Sequence, residues 1–466
     1  MSMGRWPALG FALLGFVSAS CGSPPPPVPP PPPAPPAVAP VRPPPPAPEP
    51  PQELIAPEEV ADAYLYFLGR VLILRQELLD FEQGFAWNDL VHREAGSVAW
   101  ANPNLDVAYS EAWVAIDEAT PVLLELPKIK GRYYTWQLLN AWGETLANIN
   151  ERTYPKHPFG KYVICLEGSS PHDLPKDALR IDIPNRKLRA LARIELGASP
   201  GEAVRLQKQM KLGSLGAPSI TPAVQIELFS NDELPGAEIF DKARDILASD
   251  VDVSPGMDSL QEKVRAVADV VLSGPEGRRQ VDAAIRDLAF PRIADAARRG
   301  EVKNGWLRPS PVGNYSGDYV SRTLMDLAGI WANNADEAVY FNGASDSDGA
   351  PLDGAAAYTI TFPKEASPKD LASYFWSLAI VDGVQHHVVQ NRLGRYALNK
   401  QSKLKRDPDG SVTLVLAAAE PTDAMLSNWL PTPAGGSFNA TLRFYGPAAN
   451  VKGGQYFPPP ITKLNP

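Results

Sequence analysis

Cysteine and histidine are scarce in this sequence. Of its 466 residues only Cys21 and Cys165 are cysteines, so a framework of several disulfides is excluded. Cys165 lies in an apolar, strand-like stretch, and we expect a buried, unreactive thiol there. The five histidines show no zinc-site spacing, and His386 and His387 would point to opposite faces of a strand. The sequence therefore predicts no metal site on these residues and indicates no cofactor.

An excess of positive charge is also lacking. The chain has 44 Lys and Arg against 53 Asp and Glu, and the net charge of −9 is spread along its length. Because no basic stripe is available to neutralise phosphates, nucleic acid is not a predicted partner. The apolar content of 44% is that of a globular protein, and the length predicts two domains.

Long hydrophobic runs are missing as well. The run at the N-terminus, Leu9 to Val17, follows Arg5 and is too short to span a bilayer, so residues 1–20 are predicted to be a signal peptide. Small residues lead directly to Cys21, which resembles a bacterial lipobox and predicts lipidation of that cysteine and membrane anchoring. Gly22 and Ser23 follow in place of aspartate, which favours the outer membrane. A plain signal peptide with an incidental cysteine remains an alternative.

Proline, in contrast, is abundant in one segment. Twenty of the 50 prolines lie between residues 24 and 57. Proline lacks an amide donor and has a fixed φ, so residues 21–56 are predicted to form an extended, disordered stalk. Residues 24–51, which are almost wholly proline, alanine and valine, would span about 85 Å at roughly 3.1 Å per residue and hold the folded part clear of the membrane.

The rest of the chain predicts a mainly β fold with a helical insert. A helix begins at Pro57, where Val60, Tyr64, Phe67 and Val71 recur at helical spacing. Strands are predicted at 107–116, 122–126, 132–139, 162–166 and 188–196, and again at 337–341, 356–362, 374–381, 394–399, 411–417 and 437–445. Helices are predicted at 200–212, 235–248, 257–272, 275–299 and 318–331, with a break or kink at Pro291. No internal repeat is visible at a fixed period.

Several ordered motifs resemble known families. The first half contains Asn104-Leu-Asp106-Val-Ala-Tyr109, Arg132-Tyr-Tyr134, Arg152-Thr153 and Gly160-Lys-Tyr162. The second half contains Ala338-Val-Tyr340, Asp348 to Gly354, Phe375-Trp-Ser-Leu378, Asn391, Arg395-Tyr396, Asp409-Gly-Ser411, Asn428-Trp-Leu-Pro431 and Leu442-Arg-Phe-Tyr445. In this order they resemble a bacterial tandem of two domains of unknown function, DUF1254 followed by DUF1214. Val107 and Asn140 stand where the first family usually has threonine and an acidic residue.

The resemblance implies an architecture and no particular reaction. It implies two jelly-roll-like β-sandwich domains joined by a helical segment. We place the first domain with its leading helix at residues 57–197, the helical connector at 198–332, and the second domain at 333–466.

Catalytic motifs have plausible structural interpretations. Gly197-Ala-Ser199-Pro-Gly201 fits a hydrolase nucleophile elbow, but Pro200 lacks the N–H that an oxyanion hole requires. A helix start, with Ser199 as N-cap and Glu202 closing a capping box, is the favoured interpretation. The acidic loop Asp346 to Asp353 could supply oxygen ligands to calcium, although it lacks EF-hand spacing, and a turn is favoured.

Carboxylates and arginines provide the remaining candidates. Asp106, Glu111 and Asp382 lie at or near strand ends and could line a cleft; Asp106 is a candidate catalytic residue, or it forms an Asx-type turn. Buried guanidinium groups need an anionic partner, which is either a structural carboxylate or a bound ligand. Strand-associated arginines are Arg132, Arg152, Arg193, Arg395 and Arg443, and Trp376, Trp429, Tyr134 and Tyr396 suit either a stacking cleft or a core. The predicted ligand-binding set is Asp106, Tyr109, Arg132, Arg152, Arg395, Asn428, Trp429 and Arg443.

Three functions remain open. The sequence favours an exported, lipid-anchored envelope protein that binds a small polar or anionic ligand in a β-sandwich cleft. One alternative is a hydrolase that uses carboxylates, with or without a divalent cation, on a phosphorylated or glycosidic substrate. The other is a structural envelope module. Convergence of Asp106, Arg132, Arg152 and the Asn428-Trp429 corner on one pocket would favour ligand binding.

Overall fold

The structure, a computed structural model, describes residues 54–96, 104–296, 300–384, 386–422 and 425–464. The predicted signal peptide, Cys21 and residues 22–53 of the predicted stalk lie outside these ranges. At the end of the stalk, the Leu54 N–H donates to Gln280 Oε1 at 3.0 Å, and Ile55 packs on a helical core. Within the described ranges, each helix is too short or too polar to cross a membrane.

Helix α1 (Pro57–Glu82) lies at the centre of the molecule. It begins at a proline followed by Glu58 and Glu59, which suits the positive end of the helix dipole. Its residues are buried on all sides, as in a helix that is apolar around most of its circumference. The helix predicted at Pro57 is therefore confirmed, and it joins the helical layer to the first sandwich.

The first sandwich consists of nine strands in two sheets. These are β1 (Val91–His92), β2 (Val107–Ala115), β3 (Val122–Leu126), β4 (Tyr134–Leu139), β5 (Thr145–Ile149), β6 (Gly160–Leu166), β7 (Ala178–Ile183), β8 (Lys187–Glu195) and, after α2 (Pro200–Gln207), β9 (Lys211–Ser214). One sheet has the order β1-β2-β8-β4-β5 and the other β7-β6-β3-β9. Alternate residues of the strands fill the core between the sheets. β1, β5, β7 and β9 were not among the predicted strands, and the helix predicted at 200–212 ends at Gln207 because Lys211 and Leu212 pair with β3.

A helical layer follows and packs around α1. It contains α3 (Ala243–Ala248), α4 (Asp258–Leu272), α5 (Pro275–Ala284) and α6 (Phe290–Ala296). The predicted break at Pro291 takes the form of one π-helical turn, Ile285–Ala289, immediately before it. Two short strands, β10 (Glu301–Lys303) and β11 (Trp306–Arg308), then precede α7 (Tyr319–Ala328). β11 pairs with β12 of the second sandwich and β10 pairs with β11, so this sheet extends into residues 198–332, the segment predicted as the helical connector.

Buried ion pairs hold α7 in place. Arg322 is 1% exposed and donates from Nη2 to Asp252 Oδ2 at 2.8 Å, while its Nη1 lies 3.5 Å from Glu144 Oε1. Its guanidinium also lies over the Trp142 ring, 5.0 Å from the centroid. One turn later Asp326 fits against Gly143, where a Cβ would lie 2.2 Å from the Asp326 Oδ1. Arginine and glycine at these positions are therefore needed for the packing of α7.

The second sandwich contains the remaining strands. They are β12 (Ala338–Gly343), β13 (Tyr358–Phe362), β14 (Ala372–Asp382), β15 (Ala397–Asn399), β16 (Val412–Ala417), β17 (Trp429–Pro431), β18 (Phe438–Pro447) and, after α8 (Ala449–Lys452), β19 (Thr462–Lys463). The sheet orders are β10-β11-β12-β18-β14-β15 and β17-β16-β13-β19. The aromatic motifs of β14 and β18 alternate between the core and the opposite face.

The two sandwiches have the same strand topology. Adding ten to each strand number of the first sandwich gives the second: β2-β8-β4-β5 corresponds to β12-β18-β14-β15, and β7-β6-β3-β9 to β17-β16-β13-β19. Even the pairs β6–β7 and β16–β17 agree, because both are parallel whereas the other pairs are antiparallel. The mainly β fold with helices is as predicted, and the correspondence between its halves was not foreseen.

Candidate functional site

The two sandwiches meet through the outer faces of their larger sheets. Each of these faces carries a row of polar side chains across four adjacent strands. In one sheet, Tyr109 is the register partner of Arg193 and Arg193 that of Thr135. In the other, Tyr340, Arg443, Ser377 and Asn399 are register partners in sequence. The first row ends at Asn150, whose Nδ2 donates to Thr135 Oγ1 at 3.0 Å. Both rows thus read tyrosine, arginine, hydroxyl residue, asparagine. We call this contact region the junction.

Contacts across the junction are reciprocal. Asp106, immediately before β2, accepts a hydrogen bond on Oδ1 from Asn399 Nδ2 at 2.7 Å. Glu337, immediately before β12, accepts one on Oε1 from Asn150 Nδ2 at 3.0 Å. Each acid lies three residues before the tyrosine of its own row and bonds the asparagine of the opposite row. The junction therefore has the pattern of an isologous interface, with a pseudo-twofold axis between its halves.

Two tyrosine–arginine pairs lie near this axis. The Arg193 guanidinium is 5.7 Å from the Tyr109 ring centroid, and the Arg443 guanidinium is 5.7 Å from that of Tyr340. Burial raises the pKa of Tyr109, an effect that Arg193 and Arg443 oppose and Tyr340 reinforces, so the four groups share one electrostatic environment. Tyr109 and Tyr340 nevertheless keep accessible side-chain surface. Both tyrosines are therefore partly accessible beside the two arginines.

Arg193 carries a charge without a carboxylate partner in the described part of the chain. It is 7% exposed, and it donates to Gln137 Oε1 at 2.6 Å and to the Trp331 carbonyl oxygen at 3.0 Å. Both acceptors are neutral. A buried guanidinium in this setting is compensated by dipoles and by the faces of tyrosine rings, so its charge remains available to an anion.

Three of the predicted ligand-binding residues come together here. Asp106, Tyr109 and Arg443 all belong to the junction, and Arg443 lowers the pKa of Asp106 against the larger effect of burial, which raises it. The Asx-type turn considered for Asp106 is made by Asn104, whose Oδ1 accepts from the Asp106 N–H at 3.1 Å. The Asp106 carboxyl is therefore directed to the junction instead of its own loop.

Arg152 and Arg132 have structural partners. Arg152 forms a short ion pair with Glu337 and lies over the Tyr133 ring at the edge of the junction. Arg132 donates to the carbonyl oxygen of Glu195 at 2.8 Å and to Glu202 Oε2 at 2.9 Å. Arg152 therefore borders the candidate site, whereas Arg132 anchors the loop after β8.

Arg395, Asn428 and Trp429 do not join the junction. Arg395 donates to the carbonyl oxygens of Leu426 and Trp429 at 2.6 and 2.9 Å. Asn428 bonds the main chain of Lys405 and Thr413, and Trp429 Nε1 donates to the Ala417 carbonyl oxygen at 2.7 Å. Their polar groups fix a corner of the smaller sheet of the second sandwich. Arg132 and this corner therefore do not converge with Asp106 on one pocket, and this result counts against a ligand site built from those residues.

The nucleophile candidates are structural. Ser199 is exposed at the start of α2 beside Pro200, as predicted, but its side chain makes no capping bond. The predicted capping box is wrong because Glu202 turns to Arg132. The Cys165 thiol is fully buried, and burial raises its pKa.

The other carboxylates are dispersed. Glu111 pairs with Arg93 and Arg189 under α1, and Asp382 accepts the N–H groups of Val384 and His387 in a turn. The calcium-loop candidate Asp346 accepts the N–H groups of Asp348 and Ala350, as a turn does. Throughout the described ranges, His, Cys, Asp and Glu side chains form no group of three that could hold a metal ion.

Sequence reasoning missed most of the second row. Tyr340, Ser377 and Asn399 were not proposed, and Arg193 was noted as a strand arginine but left out of the ligand-binding set. One feature of the sequence could have indicated the two rows. In each half an acidic residue just before a strand is followed three positions later by tyrosine, as Asp106-x-x-Tyr109 and Glu337-x-x-Tyr340.

Comparisons with known proteins agree with this architecture. Residues 87–214 match the family described as "Protein of unknown function (DUF1254)", and residues 337–449 match "Protein of unknown function (DUF1214)". The fold and junction thus define a tandem two-sandwich protein. The chain belongs to the DUF1254 and DUF1214 families, with the domains in the predicted order.

One solved structure supports the fold, and the fold alone. The crystal structure of the VPA0106 protein from Vibrio parahaemolyticus has a TM-score of 0.61 at 18% identity, covering 88% of this chain and 100% of that one. A putative uncharacterized protein from Burkholderia cenocepacia has a TM-score of 0.45 at 14% identity, covering 85% of this chain and 87% of that one. No protein with a curated description matches the sequence significantly.

Proposed function

We propose that this protein binds a small anionic ligand at the junction, between the Tyr109–Arg193 and Tyr340–Arg443 pairs. The observation that carries the proposal is the charge of Arg193, which is 93% buried and is matched only by neutral acceptors among the described residues. Taking a charge out of water is costly unless an opposite charge compensates it. A carboxylate or phosphate bound beside Arg193 supplies that compensation.

The tyrosines support a small ligand with some apolar surface. Tyr109 and Tyr340 each keep accessible surface next to an arginine, so they can form the walls of a recess whose floor is cationic. Tyr340 is held in place because its hydroxyl bonds the Tyr445 hydroxyl at 2.7 Å, and Asn104 Nδ2 donates to the same Tyr445 oxygen at 2.6 Å. Walls fixed in this way lose little entropy when a ligand binds.

Calorimetric titration with propionate, lactate, malonate and inorganic phosphate, with glycerol as the neutral control, tests this proposal. At least one of these anions is expected to bind the wild type, and Arg193→Met is expected to weaken binding by about 10- to 100-fold because a charge-assisted hydrogen bond is lost. Arg193→Lys, which keeps the charge, should retain part of the affinity.

Arg395→Met is the matched control. It removes a partly buried arginine just before β15, whose partners are the main-chain oxygens of Leu426 and Trp429, outside the junction. Its anion affinity should equal that of the wild type. Failure of every anion to bind the wild type, or equal losses in Arg193→Met and Arg395→Met, would count against an anion site and favour a structural module.

We further propose that the protein is exported and anchored in the outer membrane by lipid on Cys21. The proposal rests on the apolar run before Cys21 and the proline-rich segment after it. In a Gram-negative host grown with labelled palmitate, the wild type should carry label in the membrane fraction. Cys21→Ala should be unlabelled and soluble, and a wild type without label would contradict the anchor.

A further inference from the structure

The pseudo-twofold relation makes Asp106 and Glu337 equivalent positions, but they differ in their partners. Glu337 is 2% exposed and uses both carboxylate oxygens: Oε1 accepts from Asn150, and Oε2 accepts from the Tyr133 hydroxyl at 2.8 Å and from Arg152. This half of the junction is complete within the protein.

Asp106 lacks the corresponding partners. It is 7% exposed, and its Oδ1 accepts from Asn399, whereas among the described residues its Oδ2 has no partner of good hydrogen-bond geometry and only the Ser377 hydroxyl close to the carboxyl. The position equivalent to Tyr133, two residues before the hydroxyl of its row, is Phe375, which has no hydroxyl. The position equivalent to Arg152, two residues after the asparagine, is Gln401. Both groups that complete the Glu337 half are therefore replaced in the Asp106 half.

Ser377 is the second incomplete group in this half. It is fully buried and its Oγ lacks a well-aligned hydrogen bond, although the hydroxyl lies close enough to Asp106 to lower the pKa of that carboxyl. Ser377 is also paired in register with Arg443. Ser377 thus lies one strand spacing, roughly 5 Å, from Arg443 in its own sheet, and its hydroxyl faces the Asp106 carboxyl of the other sandwich.

We propose that the Asp106 half completes the ligand site. The acidic group of the ligand binds Arg193 and Arg443, and a hydroxyl of the same ligand forms hydrogen bonds with Asp106 Oδ2 and Ser377 Oγ. This inference rests on the proposed function and makes it specific: the ligand class is small hydroxy acids. Buried acceptors without partners are unfavourable, and a ligand hydroxyl supplies the partner that the Tyr133 hydroxyl supplies to Glu337. An acid without a hydroxyl leaves these groups unpaired and binds less tightly.

Matched pairs of acids test the inference in the full-length protein. Calorimetry with lactate against propionate, and 3-hydroxybutyrate against butyrate, measures the contribution of the hydroxyl alone. At least one hydroxy acid is expected to bind the wild type about tenfold more tightly than its partner. Phe375→Tyr is expected to abolish this ratio, because its hydroxyl would occupy Asp106 Oδ2 as that of Tyr133 occupies Glu337 Oε2. Binding of the simple acids should persist.

Tyr133→Phe is the matched control, since it removes the equivalent hydroxyl from the other half. It should lower the melting temperature and leave unchanged the ratio of the affinities for a hydroxy acid and its partner acid. Asp106→Leu is a second variant, and like Phe375→Tyr it should bring this affinity ratio to about one. A ratio of one in the wild type, or a ratio that survives both Phe375→Tyr and Asp106→Leu, overturns the hydroxy-acid inference while leaving the anion site intact. Absence of binding by every acid overturns both.

Discussion

Arg322→Leu is expected to lower the free energy of unfolding by about 3–5 kcal/mol. The substitution leaves Asp252, whose side chain is 0% exposed, and Glu144 without their cation. It also removes the guanidinium from the faces of Tyr66 and Trp142. Because these contacts join α7 to the loop after α3 and to the turn after β4, the loss affects three parts of the molecule. Urea denaturation followed by circular dichroism measures the change.

Arg244→Leu is the control for this prediction. Arg244 also pairs with an aspartate, Asp269, between two helices, but the two side chains are 57% and 62% exposed. Exposed pairs contribute about 0.2–1 kcal/mol, so the variant should unfold near the wild-type midpoint. Similar losses of unfolding free energy in both variants would show that burial does not set the strength of the ion pairs of Arg322 with Asp252 and Glu144.

Glu337→Gln is expected to cost about 2–4 kcal/mol, whereas Asp106→Asn should change stability by less than about 1 kcal/mol. Both substitutions replace a buried carboxylate with an amide at equivalent positions. Glu337 accepts donors on both oxygens, so an NH2 group there meets another donor and leaves Arg152 uncompensated. Asp106 accepts from Asn399 on one oxygen only, and asparagine can keep that bond.

The stability of Asp106→Asn relative to the wild type should also depend on pH. Burial raises the pKa of Asp106 above its ordinary value of 3.8. The folded state therefore binds this proton more tightly than the unfolded state does. The stabilisation that results is fully present below about pH 3.8 and is lost as pH rises through the pKa of Asp106 in the folded state. Asp106→Asn should gain stability relative to the wild type between pH 4 and pH 8. A pH-independent difference would contradict the raised pKa.

The sequence was informative where local pattern decides structure. Alternation of apolar residues located β2 and β3 within a residue or two, and helical spacing located α1. Pro291 marked the irregular turn before α6. β5 was missed because two of its three buried residues, Thr145 and Asn148, are polar, so burial does not follow apolar alternation there. In β7, Leu179, Ile181 and Ile183 alternate with polar residues, so this strand could have been predicted from its pattern.

The candidate site was only partly predictable, for a physical reason. Its two rows come from strands up to about 300 residues apart, and which face of a strand meets another domain depends on register and packing. Asn428 and Trp429 formed a prominent motif, yet their polar groups serve the main chain of a corner. Arg193 had no motif of its own, and its importance follows from the neutral partners that only the folded chain reveals.

The matching strand order of the two sandwiches has a consequence for the history of the protein. Two copies of one ancestral sandwich, paired face to face, would have carried two identical junction halves. Gene duplication and fusion into one chain frees each copy to change alone. Tyr133 and Arg152 now complete one half, whereas Phe375 and Gln401 occupy the same positions in the other. In such a history the Glu337 half keeps a structural role, and the Asp106 half is the one for which we propose ligand binding.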